Sequence, residues 1–270
     1  MTPRPAPPLH PDHLPDALTF FVTRAQRQAI LARLNTPAPN RTQALLTLLG
    51  ITPTANRPAN RAQCLPGAPM HTFPGPIPTT DDELAAWIDR WLGVRSPRAA
   101  LLEGHRAPFE YLAHAFFEDR TPRDCVVWAN RGGGKTFLGA VATALDLIFK
   151  PGIEVRLLAG SLEQARRMHA HLRDLFDRPG PASMVEGRVT ERRLRLTNGS
   201  QAEILAQSQT SVRGTRVQKL RCDEVELFDP DVWEAAQLVT RSKECGPVRV
   251  RGSIECLSTM HVPYGIMHDL

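Results

Sequence analysis

No run in the sequence approaches eighteen uninterrupted apolar residues, which argues against a membrane-spanning helix. The first residues, MTPRPAPPLHPDHLPD, have no apolar core of the kind a secretory signal needs. Five cysteines, at 64, 125, 222, 245 and 256, include no C-x-x-C pair. That spacing offers neither a zinc site nor a disulfide framework, and a reducing, cytoplasmic setting fits it best. Lysine is scarce, supplying only four of 33 basic residues, the rest being arginine. Two readings of this bias stand side by side. One is a phosphate-bearing partner such as a nucleic acid, which arginine grips bidentately; the other is a GC-rich coding sequence, which also favours alanine and proline. No internal repeat is visible.

The 270 residues are 42% hydrophobic, enough to bury one large core with or without an appendage, and the net charge is +5. Proline divides the chain. Fifteen of 24 prolines lie in residues 1–80, and none falls between 182 and 229. Within the proline-rich part, 16–34 carries Leu18, Phe21, Val22, Ala25, Ala29 and Leu34 at helical spacing, and 41–50 reads as a second short helix stopped by Gly50. The expected organisation is a helical module over 1–50, a proline-rich linker over 51–79 and a main domain over 80–270.

TTDDELAAWIDRWLG (79–93) reads as a helix, with Thr80 and Glu83 as a capping box and one stripe of Leu84, Trp87, Ile88, Trp91 and Leu92. From residue 108 helix and strand alternate. PFEYLAHAFFE starts a helix at Pro108, CVVWA (125–129) reads as a short buried strand, and 136–149 is a helix apolar nearly all round. EVRLLAG (154–160) is a strand and 161–176 an amphipathic helix. RRLRLTNGSQAEILA (192–206) is a hairpin whose Asn198-Gly199 suits a type I′ turn, and 217–224 and 248–259 supply further strands. Lys219 and Arg221 make the 217–224 strand less apolar than its neighbours. This alternation predicts a mainly parallel sheet with helices on both faces.

Residues 129–136, ANRGGGKT, match the phosphate-binding pattern G-x-x-x-x-G-K-[ST] except that Ala129 replaces the first glycine. The apolar strand before and the apolar helix after are the context that this motif requires. Gly132, Gly133 and Gly134 let backbone N–H groups curl around an anion at a helix N-terminus. Lys135 would reach the β- and γ-phosphates, and Thr136 would ligate Mg²⁺. LRCDE (220–224) puts Asp223 and Glu224 at a strand end, the first to anchor the metal shell and the second to polarise a water.

In this order the motifs resemble the ATPase domain of phage and prophage terminase large subunits, over roughly residues 80–270. The resemblance implies a P-loop NTPase three-layer α/β/α sandwich that uses ATP and Mg²⁺ to drive double-stranded DNA into a viral capsid, in the bacterial host cytoplasm. RAPFEYL (106–112) resembles the adenine-binding segment, with Glu110 where glutamine is usual. ANRGGGKT resembles the family's deviant phosphate loop, so that Ala129, Asn130, Arg131, Gly132, Gly133, Gly134, Lys135 and Thr136 would hold the nucleotide and Arg131 would steady transition-state charge. SLEQA (161–165) and SVRGTRVQKLRCDE (211–224) resemble segments around the second and acidic strands. LSTMHVPYG (257–265) resembles the coupling motif, with Ser258 and Thr259 sensing the γ-phosphate.

A motor also requires a surface for the DNA backbone, and Arg192, Arg193, Arg195, Arg213, Arg216 and Lys219 are its candidates. The partners implied are DNA, a portal or prohead, a small terminase subunit and a ring of identical chains. Such subunits normally continue into a nuclease domain after the coupling motif, so no nuclease activity is expected here, and the gene is either truncated or split or the nuclease is a separate chain. Two alternatives stay open. One is another DNA-dependent P-loop ATPase of helicase type. The other is a truncated prophage remnant that binds nucleotide or a partner without turnover.

Overall fold

The computed structural model describes residues 72–100, 103–205, 212, 214, 216–259 and 264–270. The expected module at 1–50, most of the linker and Arg213 lie outside them.

α1 (Asp81–Trp87) starts where Thr80 caps it, its hydroxyl accepting the Glu83 N–H at 3.2 Å. The Glu83 carboxylate reaches past the cap to Thr79, accepting its N–H at 2.7 Å and its hydroxyl at 2.8 Å, so the capping box is shared by two threonines. A π-helical turn, Ile88–Leu92, carries the helix on to Gly93, whose φ of +59° ends it. The two tryptophans find aromatic partners. Phe73 sits edge-on to Trp91 with centroids 5.1 Å apart, and Phe149 sits 4.9 Å from Trp87.

There follow α2 (Pro108–Phe116), β1 (Cys125–Trp128), α3 (Lys135–Phe149), β2 (Glu154–Ala159), α4 (Leu162–Phe176) and α5 (Pro179–Ala182). Then come β3 (Arg193–Arg195), β4 (Gln201–Ile204), β5 (Lys219–Asp223), α6 (Pro230–Ala236), β6 (Lys243–Cys245), β7 (Val248–Val250), β8 (Ser253–Ser258) and α7 (Ile266–Asp269). The main sheet has the order β1-β8-β5-β2-β4-β3, and every pairing in it is parallel except β3 with β4. One core joins α1 to α4 with Val155, Leu157 and Leu257 on one face. A second joins α6 and Met267 of α7 with Leu220, Cys222, Ile254 and Cys256 on the other. The result is the expected three-layer α/β/α sandwich with a mainly parallel sheet.

Three local expectations change. β1 is not a buried strand. Cys125 and Val127 pack on the first core, while Val126 and Trp128 are 44% and 64% exposed. Among the described residues β1 is an edge strand, and an apolar run cannot by itself tell one covered face from two. The hairpin turn lies where Asn198-Gly199 predicts but is not type I′. Gly199 has φ +83° whereas Asn198 is not in the left-handed region. Gly199 N–H donates to Leu196 O at 2.9 Å and Leu196 N–H to Ser200 O at 2.9 Å, a three-residue loop closed by a glycine bulge. The 248–259 segment divides between two sheets, since β7 pairs with β6 and only β8 enters the main sheet. Gly252 marks the division. A Cβ there would stand 2.8 Å from the Arg241 amide nitrogen, so only glycine lets the two backbones cross so closely.

Candidate active site

The site grows from three adjacent strand ends. Trp128 is in register with Ser258, and Asp223 with Leu257, so β1, β8 and β5 finish side by side. The carboxyl ends of parallel strands are where open α/β sheets take ligands. Here the next residues along the chain are Ala129, Thr259 and Glu224.

After β1 the loop turns on glycine. Gly132 and Gly134 have φ of +78° and +77°, and a Cβ on Gly133 would press to 3.0 Å from Asn130 Oδ1. Gly133 N–H donates to Asn130 O at 3.2 Å, and Gly134 is the N-cap of α3. Lys135, the first residue of that helix, is buried. Its Nζ donates to Thr259 Oγ1 at 2.8 Å and pairs with Glu224 Oε1 at 3.1 Å. The Thr259 hydroxyl in turn donates to Ala129 O at 2.9 Å. Thr136 Oγ1 donates to Asp223 Oδ2 at 2.8 Å. Glu224 has φ +52°, the one left-handed non-glycine residue among those described, and its N–H donates to Leu257 O at 2.7 Å. That turn swings the chain out of β5 into a 3₁₀ turn, Val225–Leu227, and local strain of this kind costs about 1 kcal/mol.

Burial pushes the Asp223 carboxyl up to about 6, and the adjacent Glu224 adds to it, against the pull of the Thr136 hydroxyl and Lys135. Its Oδ1 is buried without a hydrogen-bond partner. A carboxylate with one oxygen on a threonine hydroxyl and the other bare suits a divalent cation held between Thr136 and Asp223.

The remaining candidates sit apart from this cluster. Asn130 and Arg131 are exposed on the loop. Glu110 caps α2, accepting Ala107 N–H at 3.0 Å, and its other oxygen is 3.8 Å from Arg106. Ser258 is buried, and its hydroxyl accepts Glu226 N–H at 3.3 Å. Arg192, Arg193 and Arg195 are exposed around β3, at the sheet edge opposite β1, and Arg216 is exposed before β5. Arg193 donates to Gln201 at 2.5 Å, and Arg195 lies 3.4 Å from Glu186. Lys219 is a correction. It is fully buried, 3.0 Å from Glu118, and cannot meet DNA.

Sequence reasoning missed the buried ionic layer between the sheet and α3. Arg221 donates through Nε and Nη2 to both oxygens of Glu255 at 2.9 and 3.1 Å, through Nη2 to Asp146 at 2.6 Å, and through Nη1 to Thr143 at 3.1 Å. Tyr111 donates its hydroxyl to Glu255 at 2.7 Å. Lys150 joins Asp146 at 2.6 Å to Glu118 at 2.7 Å. Burial raises the Asp146 carboxyl, but Lys150, Arg221 and Lys219 outweigh it and hold the group far below the usual range. Burial and Lys150 push the Lys219 ammonium down to about 8. The three elements that carry the site all put charges into this cluster, Asp146 from α3, Lys219 and Arg221 from β5, and Glu255 from β8. The signal was alternation in KLRCD: Lys219, Arg221 and Asp223 share one face of β5, and Leu220 and Cys222 line the apolar other.

Among the described residues no helix is long and apolar enough to cross a membrane. The sequence matches no family model and no curated protein. Among solved structures, the HK97 bacteriophage large terminase superposes with a TM-score of 0.54 at 14% identity, covering 71% of this chain and 40% of that one. The large terminase ATPase domain of Thermus phage P74-26 has a TM-score of 0.44 at 16% identity, covering 64% and 69%. The match thus spans about two fifths of the length of the HK97 protein. Its fold is the fold found in part of a bacteriophage large terminase.

Proposed function

We propose that this chain is an ATP-hydrolysing motor domain of terminase type that drives double-stranded DNA translocation. The observation that carries the reading is the meeting of Lys135, Thr136, Asp223, Glu224 and Thr259 at three neighbouring strand ends. The loop from Ala129 to Thr136 would cradle the phosphates, with Lys135 moving from Glu224 and Thr259 onto them. Thr136 and Asp223 would hold Mg²⁺, which when bound neutralises charge on the phosphate oxygens. Glu224 would take a proton from the attacking water, Arg131 would swing in from the loop surface to the transition-state charge, and Glu110 would stand near the adenine. Ser258 and Thr259 would register loss of the γ-phosphate.

For the DNA, Arg192, Arg193, Arg195, Arg213 and Arg216 are the proposed backbone contacts, without base readout. A portal or prohead, a small terminase subunit and neighbouring copies in a ring are the proposed partners. The test is ATP hydrolysis by the purified chain, with and without double-stranded DNA, beside Lys135→Ala. Hydrolysis that DNA stimulates and the variant abolishes supports a motor. Turnover indifferent to DNA sinks the translocation half, and no nucleotide binding at all sinks the whole reading.

A further inference from the structure

Glu226 lies two residues beyond Glu224 and is tied on both sides. Its N–H donates to the Ser258 hydroxyl at 3.3 Å. Its Oε2 accepts the N–H of Met267, in the first turn of α7, at 2.9 Å. Gly265 makes room for it. A Cβ there would stand 2.7 Å from Glu226 Oε1, and the φ of +134° is one that side chains rarely adopt. The Met267 side chain is buried with Val225 of the same 3₁₀ turn and with Cys222 and Cys256 of β5 and β8. The next residue after Ser258 is Thr259, which holds Lys135. One path of polar contacts therefore runs from the Lys135 ammonium through Thr259 and Ser258 to the Glu226 backbone. It continues through the Glu226 carboxylate to the Met267 amide in the first turn of α7.

We infer that Glu226 is a positioning residue that links the state of the phosphate site to the segment 265–270. This rests on the proposed nucleotide-binding function. Lys135 has its ammonium committed to Thr259 and Glu224. Reaching a γ-phosphate releases both, one at the end of β8 and the other at the start of the 3₁₀ turn. Glu226 joins these two pieces, since it belongs to the turn and its N–H donates to Ser258. Its carboxylate then moves α7 with them. α7 is a single turn with no side-chain cap besides Glu226 among the contacts described, so its amide protection follows that carboxylate.

The experiment is hydrogen exchange on the full chain, read at amides 265–270, without nucleotide, with Mg·ADP and with Mg·ATPγS. Binding of a fluorescent ATP analogue is followed in parallel, for the parent, Glu226→Ala and Glu226→Gln. In the parent, exchange at 265–270 is expected to differ about fivefold or more between the ADP and ATPγS states. Glu226→Ala should erase that difference while analogue affinity stays within about twofold, and Glu226→Gln, which keeps an acceptor oxygen, should restore it. A purely structural tie would loosen α7 equally in every state and leave the nucleotide difference in place, which overturns the inference. So does a parent that binds both nucleotides with identical exchange. Absence of analogue binding instead overturns the nucleotide reading, and this inference falls with it.

Discussion

Arg221 and Glu255 face each other in register across β5 and β8, sealed from solvent and joined by two hydrogen bonds at 2.9 and 3.1 Å. Removing one partner of such a pair leaves a buried charge uncompensated. Arg221→Leu would take the paired cation from Glu255 and leave Asp146 to Lys150, and is expected to cost about 3–5 kcal/mol in a urea titration. Tyr111→Phe removes one hydroxyl donor from the same carboxylate and should cost only about 1–2 kcal/mol. Equal effects for the two variants would mean the layer is not organised around Arg221.

Asp223 should weaken the empty fold for the sake of its site. A carboxyl pushed up to about 6 is charged at pH 7.5 in a place that disfavours the charge. Asp223→Asn is therefore expected to raise unfolding stability without nucleotide by about 1–3 kcal/mol at that pH, while Mg²⁺-dependent hydrolysis disappears. Scanning calorimetry beside a phosphate-release assay checks both halves. A variant less stable than the parent would contradict the burial cost.

Glu224→Gln keeps the size of the side chain and loses the base. Turnover should fall about 10²- to 10⁴-fold while ATP analogue binding persists. Unchanged turnover would remove Glu224 from catalysis.

His169 supplies a pH signature. It is buried on α4 with Nε2 lacking a partner, and burial followed by Arg173 pushes its imidazole down to about 4. The unfolded chain takes up this proton near 6.5 while the folded chain refuses it until about 4, so stability falls as pH drops through that window. Asp223 acts in the opposite sense between about 6 and its ordinary value, because there the folded chain binds the extra proton. Urea midpoints at pH 7 and pH 5 in an Asp223→Asn background remove the aspartate, and since burial also pushes the His114 imidazole down, the share of His169 is read from its own variant. His169→Leu should flatten the loss, and an unaltered pH slope would show that His169 is not its source.

The exposed arginines around β3 give the DNA test. Charge reversal at Arg192 and Arg193 together should lower double-stranded DNA affinity about tenfold or more and reduce the salt slope by roughly one to two ions. Unchanged affinity would move the DNA surface elsewhere on the chain.

The α/β layering could be read from periodicity because α3 and β8 are covered on every side and their residues say so. The meeting of 129–136 with 223–224 was legible for a different reason, since the glycines and the acidic pair are each residue types with narrow uses. Lys135 reaching Thr259 was not readable from spacing alone, because it depends on β8 inserting between β1 and β5, a choice made by long-range pairing. Lys219 and Arg221 misled in the opposite direction. Charged residues usually mark solvent, and only the acids that α3, the Glu118 segment and β8 bring to them make their burial tolerable. The three-residue loop at Asn198-Gly199 escaped because Asn-Gly serves both hairpin loops, and the choice is set by the number of residues the flanking strands leave between them.

The place of β8 in the sheet has a consequence for the order of events during synthesis. Among the described residues β1 pairs with β8 alone, Cys125 opposite Glu255 and Trp128 opposite Ser258. A nascent chain that has just released β1 and the glycine loop has no strand to set beside them. At about 5–20 residues per second the ribosome needs on the order of ten seconds to deliver one. Until then β2, β4 and β5 can zip together, but the loop has no wall and Lys135 no Thr259. The last of the described strands to arrive is the wedge that assembles the site, so a ribosome-bound intermediate stalled before residue 253 should carry a partial sheet and no phosphate pocket.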